Sequence, residues 1–176
     1  MKHGFVKAAA TTPDIRVADV RYNQEKICEM IQEASDCHAK ILVFPELCVT
    51  GYTCGDLFHQ QVLLADSKEA LLKIVEFTKD KDMLVFIGMP LSVDGKLYNV
   101  AAALNKGEIL GFTTKTFLPN YGEFYEMRQF TPGPKRARYI LFEGKYVPFG
   151  PQLLFQCAQM DSLVVSAEIC EDLWSP

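Results

Sequence analysis

Two short runs of uninterrupted apolar residues constrain the fold of this chain more than any other feature. Residues 41–44 read Ile-Leu-Val-Phe and end at Pro45, and residues 83–87 read Met-Leu-Val-Phe-Ile and follow a charged segment. Each run has the length of a β-strand, and a strand without polar alternation is covered on both faces. Neither run is long enough to cross a bilayer. The sequence therefore predicts an α/β fold in which helices pack on a mostly buried sheet.

Hairpin and helical patterns occupy the chain around these two strands. The dipeptides Asp94-Gly95 and Lys106-Gly107 each separate two strand-like runs, which is typical of consecutive hairpins. Residues 118–150 are rich in Pro, Gly and aromatic residues, which predicts long ordered loops around a pocket. The predicted strands are 5–10, 40–44, 83–87 and 162–167, and helices are predicted over about 20–38 and, as one or two helices, within 56–79.

Composition limits the classes of function. The 176 residues are 49% apolar and carry a net charge of −4, which indicates one globular domain without a basic surface for nucleic acid. The six cysteines form no Cys-x-x-Cys pair and no histidine stands at zinc-ligand spacing, so a metal site and a disulfide framework are both disfavoured. We therefore expect free thiols in a reducing compartment, a cytoplasmic location and no membrane partner.

The segment Phe44-Pro45-Glu46-Leu47 contains the first candidate catalytic group. A carboxylate that directly follows a buried strand and a proline is poorly solvated, which suits a general base. The alternative interpretation of Glu46 is a glutamate that caps the strand end or forms a salt bridge.

Lys115 is the second candidate, because it follows a predicted strand and leads into an aromatic and acidic loop. A lysine held there would supply a fixed positive charge that stabilises an oxyanion or a neighbouring thiolate. The alternative is a solvated surface lysine, which is the common fate of this residue type.

Cys170 is the third candidate and lies where an apolar strand turns into the acidic, aromatic run 171–174. A cysteine on such a sharp turn could be exposed as a nucleophile. The alternative is an inert, buried cysteine. The acidic neighbours Glu171 and Asp172 are expected to raise the pKa of the thiol, so a nearby cation such as Lys115 would be needed to offset them.

Glu46, Lys115 and Cys170 share one property, which is that each follows a predicted strand. Ligands gather at the carboxyl ends of strands in α/β folds. Together the three residues supply a base, a cation and a nucleophile, the set that acyl transfer through a thioester requires. The residues alone therefore predict acyl-transfer chemistry.

Three segments resemble the signature regions of the nitrilase (carbon-nitrogen hydrolase) superfamily. They are Phe-Pro-Glu-Leu-Cys-Val-Thr-Gly-Tyr at 44–52, Lys-Thr-Phe-Leu-Pro-Asn-Tyr-Gly-Glu-Phe-Tyr-Glu at 115–126 and Glu-Ile-Cys-Glu-Asp-Leu-Trp at 168–174. The last two resemble more specifically the N-terminal glutaminase domain of glutamine-dependent NAD synthetases. The resemblance extends over essentially the whole chain. It implies a nitrilase-type α-β-β-α sandwich that is incomplete within residues 1–176.

The resemblance implies a Glu-Lys-Cys triad, made here by Glu46, Lys115 and Cys170. Glu46 would take the thiol proton of Cys170, which would attack the side-chain amide carbon of glutamine. Lys115 and the backbone N–H of Glu171 would stabilise the oxyanion, and ammonia would leave before water hydrolyses the thioester. The resemblance implies no cofactor or metal for this amidase step.

The loop that follows the lysine would supply further contacts in a protein of this family. Tyr121 and Glu171 match substrate-contacting positions, and either Glu123 or Glu126 could be an auxiliary carboxylate beside the triad. The alternative for both loop glutamates is a carboxylate paired with Arg128. The sequence leaves the choice between Glu123 and Glu126 open.

A synthetase of the resembled type would need parts beyond residues 1–176. These parts are the remaining strands of the sandwich and an ATP-dependent synthetase domain, which would use ATP and Mg²⁺ to amidate nicotinate adenine dinucleotide with the released ammonia. We therefore expect the chain to be the N-terminal part of a longer protein and to have little glutaminase activity alone. The intact protein is expected to be a homo-oligomer.

Three other functions remain open. A stand-alone nitrilase-type amidase or carbamoylase would act on a small amide and release ammonia into solution. A non-catalytic nitrilase-like binding module would have a damaged triad position, whereas Glu46, Lys115 and Cys170 are all present. A thiol redox protein would need a resolving cysteine, for which Cys157 is the nearest candidate in the sequence.

Overall fold

One mixed sheet of seven strands organises the residues that the computed structural model describes, 4–175. Its strands are β1 (Ala8–Ala10), β2 (Ile41–Val43), β3 (Leu84–Val93), β4 (Lys96–Asn105), β5 (Glu108–Thr114), β6 (Arg138–Phe142) and β7 (Lys145–Gly150). They lie in the order β1-β2-β3-β4-β5-β7-β6 across the sheet. A separate two-stranded sheet consists of β8 (Phe155–Cys157) and β9 (Met160–Val165).

The strand directions bring several carboxyl ends to the same edge of the main sheet. β1, β2 and β3 are parallel to one another. β5 runs in the same direction because β3, β4 and β5 are joined as consecutive antiparallel hairpins, and β7 lies parallel to β5. The residues that follow β2 and β5 therefore meet at one edge, which is where α/β folds collect their functional groups.

Two α-helices, α1 (Val20–Asp36) and α2 (Gln61–Phe77), pack against the main sheet. Ile27 and Ile31 lie one turn apart on the buried side of α1, as the helical spacing predicts. α1 packs on α2, and α2 packs on β3. No helix among residues 4–175 is long and apolar enough to span a membrane. Three short 3₁₀ segments are Tyr52–His59, Glu126–Arg128 and Cys170–Leu173.

The small β8–β9 sheet packs on the opposite face of the main sheet. Val85 and Ile87 belong to the core that the sheet shares with the helices, and strand alternation turns Phe86 to the other side. There the Phe86 ring meets Phe155 of β8 edge to face, with ring centroids 5.6 Å apart. The layers are therefore helix, main sheet and small sheet, and the predicted α/β fold class is confirmed.

The two hairpins predicted from dipeptides are also confirmed. Asp94-Gly95 joins β3 to β4 and Lys106-Gly107 joins β4 to β5. All four of these residues have φ between 48° and 79°. Two successive residues with positive φ form the tight turn whose twist matches the flanking strands.

The prediction of long loops over 118–150 is wrong beyond residue 137. β6 and β7 form a third hairpin, and its turn at Glu143-Gly144 again has two positive φ values, 48° and 75°. β6 alternates exposed and buried residues near its end, which is a strand pattern. The prolines and glycines obscured this pattern, because Pro148 lies inside β7 although proline cannot donate to a strand ladder.

The remaining predicted elements are confirmed with shifted ends. α1 ends at Asp36 and not at 38, and the region 56–79 contains α2 together with the second half of a 3₁₀ segment. β3 is longer than the predicted run because its second half pairs with β4. The short strand β8 had no counterpart in the sequence prediction.

Candidate active site

The Lys115 ammonium lies between two carboxylates at the carboxyl edge of the main sheet. Its Nζ atom is 2.7 Å from Glu46 Oε1 and 2.8 Å from Glu126 Oε1. Lys115 is only 1% exposed, so its interpretation as a solvated surface lysine is wrong. Burial lowers the pKa of this ammonium, but the hydrogen bonds and charges of Glu126 and Glu46 outweigh burial and raise the pKa above its ordinary value. The lysine therefore stays positively charged.

Backbone hydrogen bonds on two sides hold Lys115 in this position. Lys115 directly follows β5, and its N–H donates to the Asn99 carbonyl of β4 at 2.9 Å. The Gly133 N–H donates to the Lys115 carbonyl at 2.8 Å. A Cβ atom at Gly133 would collide with Thr114 and lie 3.2 Å from the Lys115 carbonyl oxygen, so this close approach requires glycine.

Glu46 is placed by a tight turn that packs directly on the backbone of β3. Leu47 has a positive φ of 52° in this turn, and the Val49 N–H donates to the Gly88 carbonyl at 3.2 Å. A Cβ atom at Gly88 would collide with the backbone of Pro45 and Leu47 and lie 2.9 Å from the Glu46 carbonyl carbon. Glu46 does form a salt bridge, as its alternative interpretation held, but its partner is the candidate lysine.

Cys170 lies on a sharp turn at the surface. Ile169 is extended, and Cys170 has a φ of 51°, a left-handed conformation that is uncommon for a residue with a side chain. The 3₁₀ segment Cys170–Leu173 begins at this residue. Cys170 is exposed, so its interpretation as an inert, buried cysteine is wrong. The turn presents the sulfur outward, as a nucleophile requires.

The charges around Lys115 also act on the Cys170 thiol. Partial burial raises the pKa of this thiol, the Lys115 charge lowers it, and the Glu46 and Glu126 charges raise it. The backbone N–H of Glu171 donates toward the sulfur and lowers the pKa. The net result is a pKa above the ordinary value, so the resting thiol is protonated and needs a base before it can attack.

The side chains of Glu171 and Asp172 are engaged away from the sulfur. Asp172 Oδ1 accepts hydrogen bonds from the backbone N–H groups of Thr116 at 3.0 Å and Phe117 at 2.8 Å. These bonds tie the cysteine turn to the loop that follows Lys115. The thiol pKa is raised, as predicted, but not by these two acidic neighbours. The carboxylates that raise it are Glu46 and Glu126, which come from distant parts of the chain.

Glu123 and Glu126 take different positions although they belong to the same loop. Glu126 is 4% exposed and also accepts a hydrogen bond from the Tyr52 hydroxyl at 2.6 Å, whereas Glu123 is exposed. Arg128 pairs with Asp56, with donor–acceptor distances of 2.7 and 2.9 Å. The interpretation of either glutamate as a partner of Arg128 is therefore wrong. Of the two, only Glu126 contacts the buried ammonium.

Tyr121 and Glu171 lie together at the open side of the site. The Tyr121 hydroxyl donates to the Glu171 carboxylate, at 3.2 Å from Oε1 and 3.1 Å from Oε2. This hydrogen bond raises the pKa of Tyr121, and the charges of Cys170 and the exposed Glu123 contribute in the same direction. The structure therefore brings the predicted substrate contacts to the mouth of the site beside the cysteine.

Tyr52 and Asn99 are two polar residues of the site that sequence reasoning did not single out. Burial, followed by the hydrogen bond to Glu126, raises the pKa of Tyr52, so its hydroxyl remains a donor. Asn99 Nδ2 donates to Glu46 Oε1 at 2.5 Å. Each carried a signal, because Tyr52 ends the first signature segment and Asn99 interrupts an apolar strand.

Comparison with known sequences finds relatives over nearly the whole chain. A match to the carbon-nitrogen hydrolase family covers residues 7–176. The chain is 37% identical over 175 residues to a glutamine-dependent NAD(+) synthetase of Mycobacterium bovis, and the match covers 99% of this chain and 26% of the relative. The chain thus spans about a quarter of the length of that relative.

Solved structures share the fold. A glutamine-dependent NAD(+) synthetase from Cytophaga hutchinsonii superposes with a TM-score of 0.81 at 30% identity, over 86% of this chain and 26% of that one. An amidase from Nesterenkonia sp. has a TM-score of 0.62 at 20% identity, over 84% of this chain and 56% of that one, and is similar in fold alone. Because the family match extends from residue 7 to residue 176, this chain belongs to the carbon-nitrogen hydrolase family.

Proposed function

We propose that this chain is the glutaminase part of a glutamine-dependent NAD synthetase, with Cys170 as nucleophile, Glu46 as base and Lys115 as the stabilising cation. The observation that carries the proposal is a buried ammonium between two carboxylates beside an exposed cysteine on a strained turn. That arrangement combines the groups that acyl transfer through a thioester needs. The relatives, which are named as glutamine-dependent NAD(+) synthetases, supply the choice of glutamine as the amide.

The first step is proton transfer from Cys170 to Glu46. The raised pKa of the thiol keeps the sulfur protonated at rest, and a protonated thiol is a weak nucleophile. Glu46 accepts the proton, and the thiolate then forms a bond to the side-chain amide carbon of glutamine while the carbonyl electrons move to oxygen. The Lys115 ammonium and the backbone N–H of Glu171 stabilise the resulting oxyanion.

The second step releases ammonia and then glutamate. Glu46 returns its proton to the amide nitrogen, the C–N bond breaks, and a thioester remains on Cys170. Glu46 next takes a proton from water, which attacks the thioester carbon. The C–S bond then breaks, glutamate leaves, and the proton passes from Glu46 to the Cys170 sulfur. Glu126 stays on the Lys115 ammonium throughout and fixes its position, which leaves the other carboxylate free to move protons.

Tyr121 and Glu171 are proposed to bind the glutamine. The Glu171 carboxylate directly follows the nucleophile in the chain and would pair with the α-ammonium of a free amino acid. Tyr121 already donates to that carboxylate and would orient it. Glu123 is exposed at the mouth and would act through its charge alone.

The proposal includes parts that lie outside this chain. ATP and Mg²⁺ would be used by a synthetase domain that receives the ammonia, and the intact protein would be a homo-oligomer. No three metal-ligating side chains are grouped within residues 4–175, so no residue here is assigned to Mg²⁺. A cytoplasmic location is supported by the six cysteines, all of which are free thiols in the structure.

The test is covalent labelling of the full-length natural protein by a diazo-ketone analogue of glutamine, read by peptide mass spectrometry. We expect one label per chain on Cys170, blocked by excess glutamine. Glu46→Ala and Lys115→Ala should abolish the label while circular dichroism shows that the fold survives. Cys37→Ala is the matched control, because Cys37 is also an exposed thiol and lies on the α1 side of the fold.

Each other outcome points to a different function. Label spread over several cysteines, or no label, would leave a nitrilase-like binding module. Label on Cys170 without protection by glutamine, together with hydrolysis of small amides, would indicate a stand-alone amidase.

A further inference from the structure

Asn99 contacts both charged partners at the base of the candidate site. It lies on β4 and is 1% exposed. Its side-chain Nδ2 donates to Glu46 Oε1 at 2.5 Å, and its backbone carbonyl accepts the Lys115 N–H at 2.9 Å. One residue therefore fixes the side chain of the base and the backbone of the cation relative to each other.

The two oxygens of Glu46 have different surroundings. Oε1 accepts from Asn99 Nδ2 and, at 2.7 Å, from Lys115 Nζ. Oε2 accepts no hydrogen bond from the described residues, 4–175. The Glu46 side chain is 18% exposed, against 0% for Lys115, so this carboxylate reaches the open side of the site. Two donors on Oε1 make that oxygen the weaker proton acceptor, and Oε2 keeps its lone pairs free.

We infer that Asn99 is a positioning residue for the reaction: it holds Glu46 Oε1 so that Oε2 takes the proton from the Cys170 sulfur. This inference rests on the proposed function. The proton moves from Sγ to Oε2 and leaves a thiolate, while Oε1 keeps its two donors. Without the Asn99 amide, the carboxylate could rotate about its last bond and present either oxygen, or neither, to the sulfur.

The second atom of the Asn99 amide supports a functional reason for this residue. Asn99 Oδ1 is buried and has no hydrogen-bond partner among the described residues. A buried polar atom without a partner is costly, and an apolar residue in this apolar strand would avoid that cost. The amide is therefore retained for the hydrogen bond that its other atom makes to Glu46.

The titratable groups that face Glu46 come from four other parts of the fold and bear on any pH test. They are Lys115 after β5, Glu126 and Tyr52 from two of the 3₁₀ segments, and Cys170 from the cysteine turn. Lys115 stays charged and Tyr52 stays neutral, because both pKa values are raised. Neither of these two groups therefore changes its charge over the neutral and acid range.

The test uses Asn99→Ala and Asn99→Asp in the full-length natural protein, with steady-state glutamine hydrolysis measured across pH. Asn105→Ala is the matched control, because Asn105 lies on the same strand and donates to the Met83 carbonyl, away from the site. The pH dependence of Cys170 alkylation by iodoacetamide is measured in parallel. That second readout needs no glutamine turnover, so it separates a failure of this inference from a failure of the proposed function.

We expect kcat to fall about tenfold in Asn99→Ala and about a hundredfold in Asn99→Asp, with KM nearly unchanged. Alkylation of Cys170 should also be slower than in the wild type over the neutral range, because Oε2 is no longer held toward the sulfur. The loss should be larger in Asn99→Asp, where a second carboxylate faces the first, and Asn105→Ala should match the wild type.

A change in KM alone, or pH profiles of activity and alkylation that match Asn105→Ala, would overturn the inference and leave the glutaminase proposal intact. Loss of the folded state in both Asn99 variants would also overturn it, because the residue would then serve the fold. If the wild type does not hydrolyse glutamine, the proposed function fails, and the alkylation profile alone decides the role of Asn99.

Discussion

Two ion clusters lie at opposite ends of the main sheet, and each has the inverse composition of the other. One has a single ammonium between two carboxylates, and the other has a single carboxylate between two ammonium groups. Their contact distances are nearly the same, 2.7 and 2.8 Å in the first and 2.6 and 2.7 Å in the second. The first consists of Glu46, Lys115 and Glu126, and we call it the active-site cluster after its proposed role. The second, the outer cluster, consists of Lys40, Asp82 and Lys106.

Exposure to water makes the two clusters different. The Asp82 side chain is 62% exposed, and the Lys115 side chain is 0% exposed. Lys106 and Lys40 hold the pKa of Asp82 at about 2, but water and salt screen such a pair and leave it a small part of the stability. Burial of Lys115 removes that screening, so the charge of each group in the buried cluster must be compensated by its partners. The effect of an ion cluster on stability therefore depends on its burial and not on its contact distances alone.

The strongest test of this contrast is Lys115→Met. The substitution keeps most of the length of the side chain but leaves Glu46 and Glu126 facing each other without a cation. We expect the free energy of unfolding to fall by about 3–5 kcal/mol, because breaking a buried ion pair leaves an uncompensated buried charge. Labelling of Cys170 by the glutamine analogue should also be lost. Urea unfolding followed by circular dichroism measures the stability change.

Lys106→Met provides the matched control in the outer cluster. It removes one of two ammonium groups from an exposed carboxylate, so we expect a change below about 1 kcal/mol. Similar losses in the two variants would contradict the idea that burial decides the strength of these clusters.

Gly88→Ala tests how strictly the active-site cluster depends on backbone packing. The added methyl group would press on the turn that carries Glu46, with a contact of 2.9 Å to its carbonyl carbon. We expect kcat to fall about a hundredfold, because a displacement of about 1 Å in a catalytic group has an effect of that size. The free energy of unfolding should fall by about 1–3 kcal/mol.

Gly111→Ala separates the two consequences of Gly88→Ala. Gly111 is also a strand glycine in close contact, but its Cβ would meet the Leu153 side chain at 2.9 Å, under the small sheet. A smaller loss of stability, because the end of the Leu153 side chain can move, and an unchanged kcat are expected there. Equal loss of kcat in both variants would mean that general destabilisation, and not the position of Glu46, explains the effect.

The sequence predicted those residues of the candidate site that stand in local patterns. Glu46, Lys115 and Cys170 each follow a strand-like run within a specific segment, and the structure brings all three to one site. Glu126 could not be separated from Glu123, because both lie in the same loop and only the fold decides which one turns inward. The glycine-containing turns predicted the first two hairpins. The third was not predicted, because Pro148 within β7 is untypical of a strand.

Contacts between distant segments were beyond the sequence. Tyr52 reaches Glu126 across 74 positions of the chain, and Asn99 reaches Glu46 across 53. Asp172 was expected to act on its neighbour Cys170, but it binds the backbone 55 and 56 positions away. The sequence shows which charged residues are neighbours along the chain. It does not show which backbone N–H groups the fold brings within hydrogen-bond distance of a carboxylate.

Asp172→Ala tests the connection between the cysteine turn and the active-site cluster. The substitution leaves the N–H groups of Thr116 and Phe117 without their acceptor, so the loop after Lys115 should loosen. We expect kcat/KM for glutamine to fall about tenfold, because a looser loop positions Lys115 less well. Asp172→Asn should retain most activity, because a single oxygen accepts both bonds. Equal losses in the two variants would indicate that the charge of Asp172 matters and not the connection.

The smallest effect is expected for Asp82→Asn, which removes the central charge of the outer cluster. The folded-state pKa of Asp82 is about 2, below its ordinary value of 3.8, so its stabilisation is complete above that ordinary value and is lost as pH falls through about 2. At pH 7 and low salt, the wild type should exceed Asp82→Asn in free energy of unfolding by no more than about 1 kcal/mol, because the side chain is largely exposed. That difference should shrink in urea unfolding experiments between about pH 4 and pH 2, and at pH 7 in about 1 M NaCl. A difference that persists in salt, or that grows with acid, would show that the outer cluster behaves like the buried one and would remove the contrast between them.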